Sequence, residues 1–328
     1  MNVASRVIPT DAGRKVEILA GVDARNLIVR KTAEEGADAS PLLEQARHLH
    51  YMHDTHNLRM YPEVIRTFDT GFDMTFVRGE TLSSYLDKSS HGDDAIANAV
   101  DALFDLALTL RKPWHQEAEH RINFLRAEAL ERQGRFKRAI AKTHLSLKPS
   151  TRSLVSLLDQ VVADSSNWVS RAIDSQNVDQ RARLSIAVHG DFVPSNVILH
   201  GPETTFLDVR GVWYQGVPLW DPIMDLASFC VFAESIWPAL ADSGFATPMR
   251  HPFKEGEVLT AALKSIALQA WLRNDPHWRA RFDVYRGFRV LGNIANHLTT
   301  TRQDGFDHAV AVLGPYLSIS KRIAAHAT

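Results

Sequence analysis

A single cysteine, Cys230, stands in the 328 residues, which excludes an intramolecular disulfide and a thiolate metal cluster and gives no sign of an oxidising compartment. Its setting, Ala227-Ser228-Phe229-Cys230-Val231-Phe232, reads as that of a buried small hydrophobe. A surplus of charge of one sign is missing as well. The 37 Lys and Arg face 38 Asp and Glu, a formal net charge of −1, so no global field argues for nucleic acid or an anionic membrane as partner. Long apolar runs are also absent. The most apolar stretch, 223–240, is interrupted by Asp225 and Glu234, and residues 1–9 carry no basic segment ahead of an apolar core. Neither a membrane span nor a signal peptide is expected, and the location read from this is cytoplasmic.

With 45% hydrophobic residues, the chain can build a sizeable core as two domains or one two-lobed unit. Near the N-terminus the alternating segment 14–20 and the β-branched run 26–31 predict a hairpin turning at 21–23. Ser40-Pro41 predicts a helix start, with Ser40 as cap and Leu43, Ala46, Leu49 and His50 on one face. Two further strands are expected at 62–68 and 74–77 around a turn at 69–73. From Leu82 onward the pattern is mostly helical. It shows an apolar stripe from Ile96 to Leu110, helices over 223–237, 257–271, 278–297 and 307–325, and a basic segment from Arg132 to Lys148. That segment is either a solvated insertion or a wall over an anionic substrate.

The most informative stretch is Val188-His189-Gly190-Asp191-Phe192-Val193-Pro194-Ser195-Asn196-Val197-Ile198-Leu199, followed by Thr205-Phe206-Leu207-Asp208. Asp191 and Asn196 lie five positions apart on one loop, and a second carboxylate, Asp208, closes an apolar strand. Three oxygen-bearing side chains brought together in this way outline a magnesium-nucleotide site, because phosphoryl transfer depends on positioning and charge neutralisation more than on covalent chemistry.

His189-Gly190-Asp191 with Asn196, then Asp208, then Asp221-Pro222-Ile223-Met224-Asp225-Leu226-Ala227, resembles the catalytic loop, metal aspartate and following helix of the aminoglycoside phosphotransferase and choline kinase group of protein-kinase-like phosphotransferases. The resemblance implies an α/β (α+β), two-lobed protein-kinase-like fold with a small antiparallel-sheet N-lobe and a larger, mainly helical C-lobe. The implied divisions are a nucleotide-binding lobe at 1–77, a hinge at 78–81, and a C-terminal lobe at 82–328 carrying the catalytic loop and the substrate pocket. It further implies Asp191 as catalytic base, Asn196 and Asp208 as magnesium ligands, and ATP or GTP as phosphoryl donor. Lys31 becomes the phosphate anchor, Glu44 its helix partner, and the backbone near Phe76 and Val77 the contact to the base. His189 would pack beneath the loop, and Asp225 would be structural. Arg210 would face phosphate or an acidic substrate, or else pair with Asp221 or Asp225. No G-x-G-x-x-G precedes Lys31, where only Gly13 stands; Arg14 or Lys15 is then the candidate source of positive charge over the phosphates.

Beyond Ile236 basic residues outnumber acids, with Arg250, Arg273, Arg279, Arg281, Arg286 and Arg289 among them. Polycationic aminoglycosides need acidic walls, so the expected acceptor is neutral or anionic, a sugar or sugar derivative first. Two rival readings are an antibiotic phosphotransferase of the aminoglycoside type and a non-catalytic kinase-like protein that holds nucleotide. No nucleic-acid partner is expected, and the chain would act as a monomer or homodimer.

Overall fold

The alternating and β-branched segments near the N-terminus pair into one antiparallel sheet. The computed structural model describes residues 6–8, 14–20, 27–88, 92–110, 188–201 and 203–210, most of 212–234 and 253–289, and isolated positions at 134–141 and 185–186. They belong to two compact units, Met1–Tyr85 with Ile186–Trp220 and Leu86–Ser185 with Asp221–Thr328.

In the first unit, β1 (Arg6–Ile8), β2 (Arg14–Ala20), β3 (Leu27–Ala33), β4 (Val64–Phe68) and β5 (Gly71–Thr75) form a sheet in the order β1-β2-β3-β5-β4. Side chains alternate across a strand, and β3 obeys this. Val29 and Lys31 are buried, whereas Arg30 between them turns to the other face. Lys31 pairs in register with Phe72, and Arg30 with Asp73. The expected turn at 69–73 is shorter than its polar residues imply, because β5 already begins at Gly71. Asp73 is tolerated inside the sheet because Arg30 donates to it at 2.8 and 3.0 Å and Arg66 at 2.7 Å. Burial alone would raise its pKa, but the two guanidinium groups outweigh burial and hold it below the usual carboxylate value.

Helix α1 (Ser40–His56) lies on the sheet face that carries Lys31, burying Leu42, Gln45, Ala46, Leu49 and Met52. Ser40 is not its cap. Ala39 occupies that position, and the Asp38 carboxylate accepts the Ser40 N–H at 2.9 Å. The helix stops at Asn57, whose left-handed φ of 51° lets its N–H reach the His53 carbonyl while Leu58 N–H reaches Met52. A second sheet, β6-β8-β9, joins β6 (Glu80–Thr81), β8 (Val197–His200) and β9 (Glu203–Phe206). A third, β10-β11-β7, joins β10 (Val212–Tyr214), β11 (Val217–Trp220) and β7 (Ser185–Ile186). At Gly79, φ is +141° and an added Cβ would sit 2.4 Å from the Leu199 carbonyl oxygen. Only glycine lets β6 approach β8 there. The short helix α2 (Leu82–Leu86) follows β6 directly.

The described helices of the second unit are α3 (Gly92–Thr109), α4 (Pro222–Ala233), α5 (Glu257–Ala262), α6 (Ile266–Leu272) and helical positions between Trp278 and Arg289, with Glu234 and Phe253 in an isolated parallel bridge. Helix α4 is buried at all but one of its positions, which accounts for its apolar composition on every face. It ends at Ala233, where Glu234 is extended, rather than continuing to 237. The helix expected over 257–271 is instead two helices, because Ser265 takes an extended conformation and its hydroxyl caps Leu268 N–H at 3.0 Å. Helix α3 packs on α5 and α6, with Phe104 and Trp271 meeting edge to face at 6.0 Å between centroids. Cys230 is buried as expected, and burial pushes its thiol well above the ordinary value.

Three of the arginines counted toward the expected acceptor, Arg281, Arg286 and Arg289, are committed inside this unit. Arg281 donates to Asp221 and to Asp275, each at 2.9 Å, Arg286 donates to Glu234 at 2.8 Å, and Arg289 donates to the Ser228 hydroxyl. All three are at least nine-tenths buried. Buried guanidinium groups are retained where acids pair with them, so these three say little about an acceptor. Of the basic residues in the segment 132–148, Lys137 and Arg138 are the ones described, and both are exposed. The helix expected at 307–325 lies outside the described residues.

Candidate active site

The residues that converge all belong to the first unit. The loop 188–196 is fixed by bonds that the sequence supplies locally. Asn196 N–H bonds the Val193 carbonyl at 2.9 Å, and Asn196 Nδ2 donates to the Asp191 carbonyl at 3.1 Å. The Tyr61 hydroxyl donates to the Val188 carbonyl at 2.7 Å. Gly190 has φ +77°, and an added Cβ would lie 2.0 Å from the Arg210 carbonyl oxygen. The glycine is therefore what lets the loop lie against the 208–210 segment, an approach closed by the Arg210 N–H to His189 carbonyl bond.

His189 packs beneath the loop, its ring 5.5 Å from that of Phe192 and 5.6 Å from that of Phe206, and its Nδ1 accepts the Asp191 N–H at 3.2 Å. Burial, opposed by the nearby Asp191 charge, lowers its pKa from 6.5 to about 4. The unfolded chain therefore takes up this proton below pH 6.5 while the folded chain refuses it until about pH 4. Stability falls as pH drops through that window and levels off beneath it. At 1.36 kcal/mol per pKa unit the loss approaches about 3 kcal/mol. Urea unfolding at about pH 7 and about pH 4.5 should show it, and His189→Gln should remove that share of the pH dependence. An equally steep dependence in the variant would contradict the assignment.

The β8–β9 hairpin places the other two oxygen-bearing residues, Asn196 and Asp208, at its open end. Val197 pairs with Phe206, and Leu207 N–H bonds the Asn196 carbonyl at 2.8 Å, so Asn196 and Asp208 emerge side by side at one hairpin end. Asp208 adopts a left-handed φ of 56°, a conformation that short polar side chains tolerate. Its side chain is 46% exposed. Magnesium is bound by hard oxygen donors, and the Asn196 carboxamide and Asp208 carboxylate fit that requirement. Asn196 commits its nitrogen to the protein and keeps its oxygen for a cation.

Lys31 reaches this hairpin from β3. Its ammonium contacts Asp208 Oδ1 and donates to Gln45 Oε1 at 3.3 Å. Burial, and then the charges of Arg14 and Arg210, lower Lys31 to about 7. The touching carboxylate acts in the opposite direction, as anionic phosphates would. Glu44, the expected partner of Lys31, is exposed. Helix α1 turns Gln45 to the sheet instead, since Leu42, Gln45, Ala46 and Leu49 share its buried face.

The Nη2 of Arg210 lies 3.3 Å from Asp191 Oδ2. Arg14 is half-buried, its pKa lowered by burial and then by the charge of Arg210, with Asp191 opposing. Lys15 instead pairs with Glu17 at 2.8 Å. Three cations, Lys31, Arg14 and Arg210, thus surround two carboxylates where no glycine-rich loop precedes β3. Phe76 N–H is taken by the Leu27 carbonyl at 3.2 Å. A base edge at this segment would therefore have the Phe76 carbonyl and the Val77 peptide to meet.

This is the fold of the protein-kinase-like small-molecule phosphotransferases, as the catalytic-loop resemblance implies. It is similar to that of choline kinase from Cryptosporidium parvum Iowa II, with a TM-score of 0.58, 13% identity, and coverage of 99% of this chain and 90% of that one. Plasmodium vivax ethanolamine kinase gives a TM-score of 0.57 at 10% identity, over 96% of this chain and 82% of its own. Aminoglycoside phosphotransferase APH(2'')-Ib in its ADP-bound form gives 0.52 at 13% identity, over 98% and 95%. No protein-family model and no curated protein sequence matches the chain. Among the described residues no helix is long and apolar enough to cross a membrane.

Proposed function

We propose that the chain is an ATP-dependent phosphotransferase that phosphorylates a hydroxyl group of a small molecule. The observation that carries this reading is the contact of Lys31 on β3 with Asp208, next to a loop in which Asn196 is bonded to the Asp191 carbonyl. In this reading Lys31, Arg14 and Arg210 bind the phosphates, and Asn196 and Asp208 hold magnesium, which when bound neutralises charge on the β- and γ-phosphates. Asp191 orients the acceptor hydroxyl and takes its proton late, which requires no elevated pKa. Phe76 and Val77 meet the base. The similar phosphotransferase solved with ADP supports a nucleotide as donor. The lobe and hinge divisions at 77 and 81 and a cytoplasmic setting belong to the same proposal.

A sugar or sugar derivative remains the first acceptor to test, and a choline-like amino alcohol and an aminoglycoside are the alternatives. With Arg281 and Arg286 paired internally, those two residues do not contribute to the choice among these acceptors. Acceptor-stimulated ADP release should therefore be screened across sugars, amino alcohols and aminoglycosides, with Asp208→Ala as the blank. Stimulation by one class in the wild type and by none in the variant is expected. Equal ADP release in both would overturn the proposal. The contact of Arg210 with Asp191 favours a second reading, a protein that holds nucleotide without turnover, which predicts ATP binding and no stimulation by any acceptor.

A further inference from the structure

Two of the three contacts of Gln45 are of a kind that a carboxylate at the same position could not make. Its carboxamide oxygen accepts from the Lys31 ammonium at 3.3 Å, while its nitrogen donates to Asp208 Oδ1 at 3.3 Å and to the Val209 carbonyl at 3.4 Å. The residue is 9% exposed, and its side chain bonds both ends of the Lys31–Asp208 ion pair at once. A neutral amide has two donors and an acceptor. A glutamate would offer acceptors alone, hold the lysine more strongly, and set a second negative charge against Asp208 and the Val209 carbonyl. Like charges at that distance disfavour each other, and a buried carbonyl that loses its donor is costly. Asp208 also holds a left-handed backbone, which survives where the surroundings over-determine it. The bonds to Asp208 and to the peptide after it supply that constraint.

We propose that Gln45 is a positioning residue that sets the phosphate-anchoring Lys31 and the metal-binding Asp208 relative to each other through its amide, so that nucleotide affinity and its dependence on magnesium are tuned by one side chain. The proposal rests on the phosphotransferase reading of the site. It separates two functions by chemistry: the acceptor oxygen serves Lys31, and the donor nitrogen serves Asp208.

Calorimetric titration of ATP into the full chain, with and without magnesium, tests this. Three variants are compared with wild type. Gln45→Glu keeps the acceptor only, Gln45→Met keeps the volume with neither function, and Arg47→Ala is an exposed control on the same helix. Gln45→Glu is expected to hold metal-free ATP within about threefold of wild type but to lose most of the tightening that magnesium brings, because Asp208 is no longer oriented. Gln45→Met is expected to weaken both by about tenfold or more. Thermal unfolding midpoints identify any variant that merely fails to fold, and the metal-free arm with Gln45→Glu reads the split independently of turnover. Magnesium enhancement in Gln45→Glu equal to wild type overturns the role of Gln45 and leaves the functional reading standing. A folded wild type that binds no ATP in either condition overturns both.

Discussion

Asp191→Asn is expected to lower phosphoryl transfer by about 10²–10⁴-fold, the range for loss of a positioned general base, while leaving the affinity for magnesium-ATP within about threefold. The substitution is nearly isosteric and keeps an oxygen for the Arg210 guanidinium, whose Nη2 lies 3.3 Å from the carboxylate. The backbone bonds of residue 191, its N–H to His189 Nδ1 and its carbonyl to Asn196 Nδ2, do not involve the side chain. The loop should therefore keep its shape, and only the proton acceptor is removed. Asp208→Ala should fail differently, because it removes the partner of Lys31 and Gln45 and so weakens magnesium-dependent binding along with transfer. Steady-state ADP release on the best acceptor, with ATP affinity measured in parallel, separates the two. An Asp191→Asn protein that keeps a rate close to that of wild type would remove Asp191 from the chemistry. A wild type that binds nucleotide but is stimulated by no acceptor would favour the non-catalytic reading.

Residues of the site that lie close together in sequence were legible in advance. Asp191 and Asn196 share one loop and Asp208 ends the next hairpin, so local spacing alone predicts their convergence, and the β-branched run places Lys31 on a strand. The helix partner of Lys31 was not legible, because it depends on helix phase to within one residue. Leu42 and Leu43 are both apolar, and only the packed structure shows Leu42 buried and Leu43 37% exposed, which turns Gln45 rather than Glu44 inward. Asp73 reads as a turn residue until Arg30, from 43 positions earlier, is seen bonded to it. The internal pairing of three C-terminal arginines was not legible either. Composition counts charges, whereas burial pairs Arg281 with Asp221 across 60 positions and Arg286 with Glu234 across 52. No local window contains such a pair.

The Asp221 network carries the largest expected stability effect. Its carboxylate caps α4 through Ile223 N–H at 3.0 Å, and it accepts from Arg281 at 2.9 Å and from the Tyr285 hydroxyl at 2.8 Å, all of them buried. Burial alone would lower the pKa of Arg281, but Asp221 and then Asp275 outweigh it and raise the guanidinium above its ordinary value, so the charge persists and must be matched. Asp221→Ala leaves it with one carboxylate instead of two and uncaps the helix. Removing one partner of a buried pair costs about 3–5 kcal/mol, chiefly as the penalty of the charge left behind. Arg281→Met in the same background removes that stranded charge, so the double variant should be less destabilised than the sum of the two single ones. Urea unfolding followed by tryptophan fluorescence measures all four proteins. Additive losses, or a loss below about 1 kcal/mol for Asp221→Ala, would mean that water rather than Arg281 satisfies Asp221.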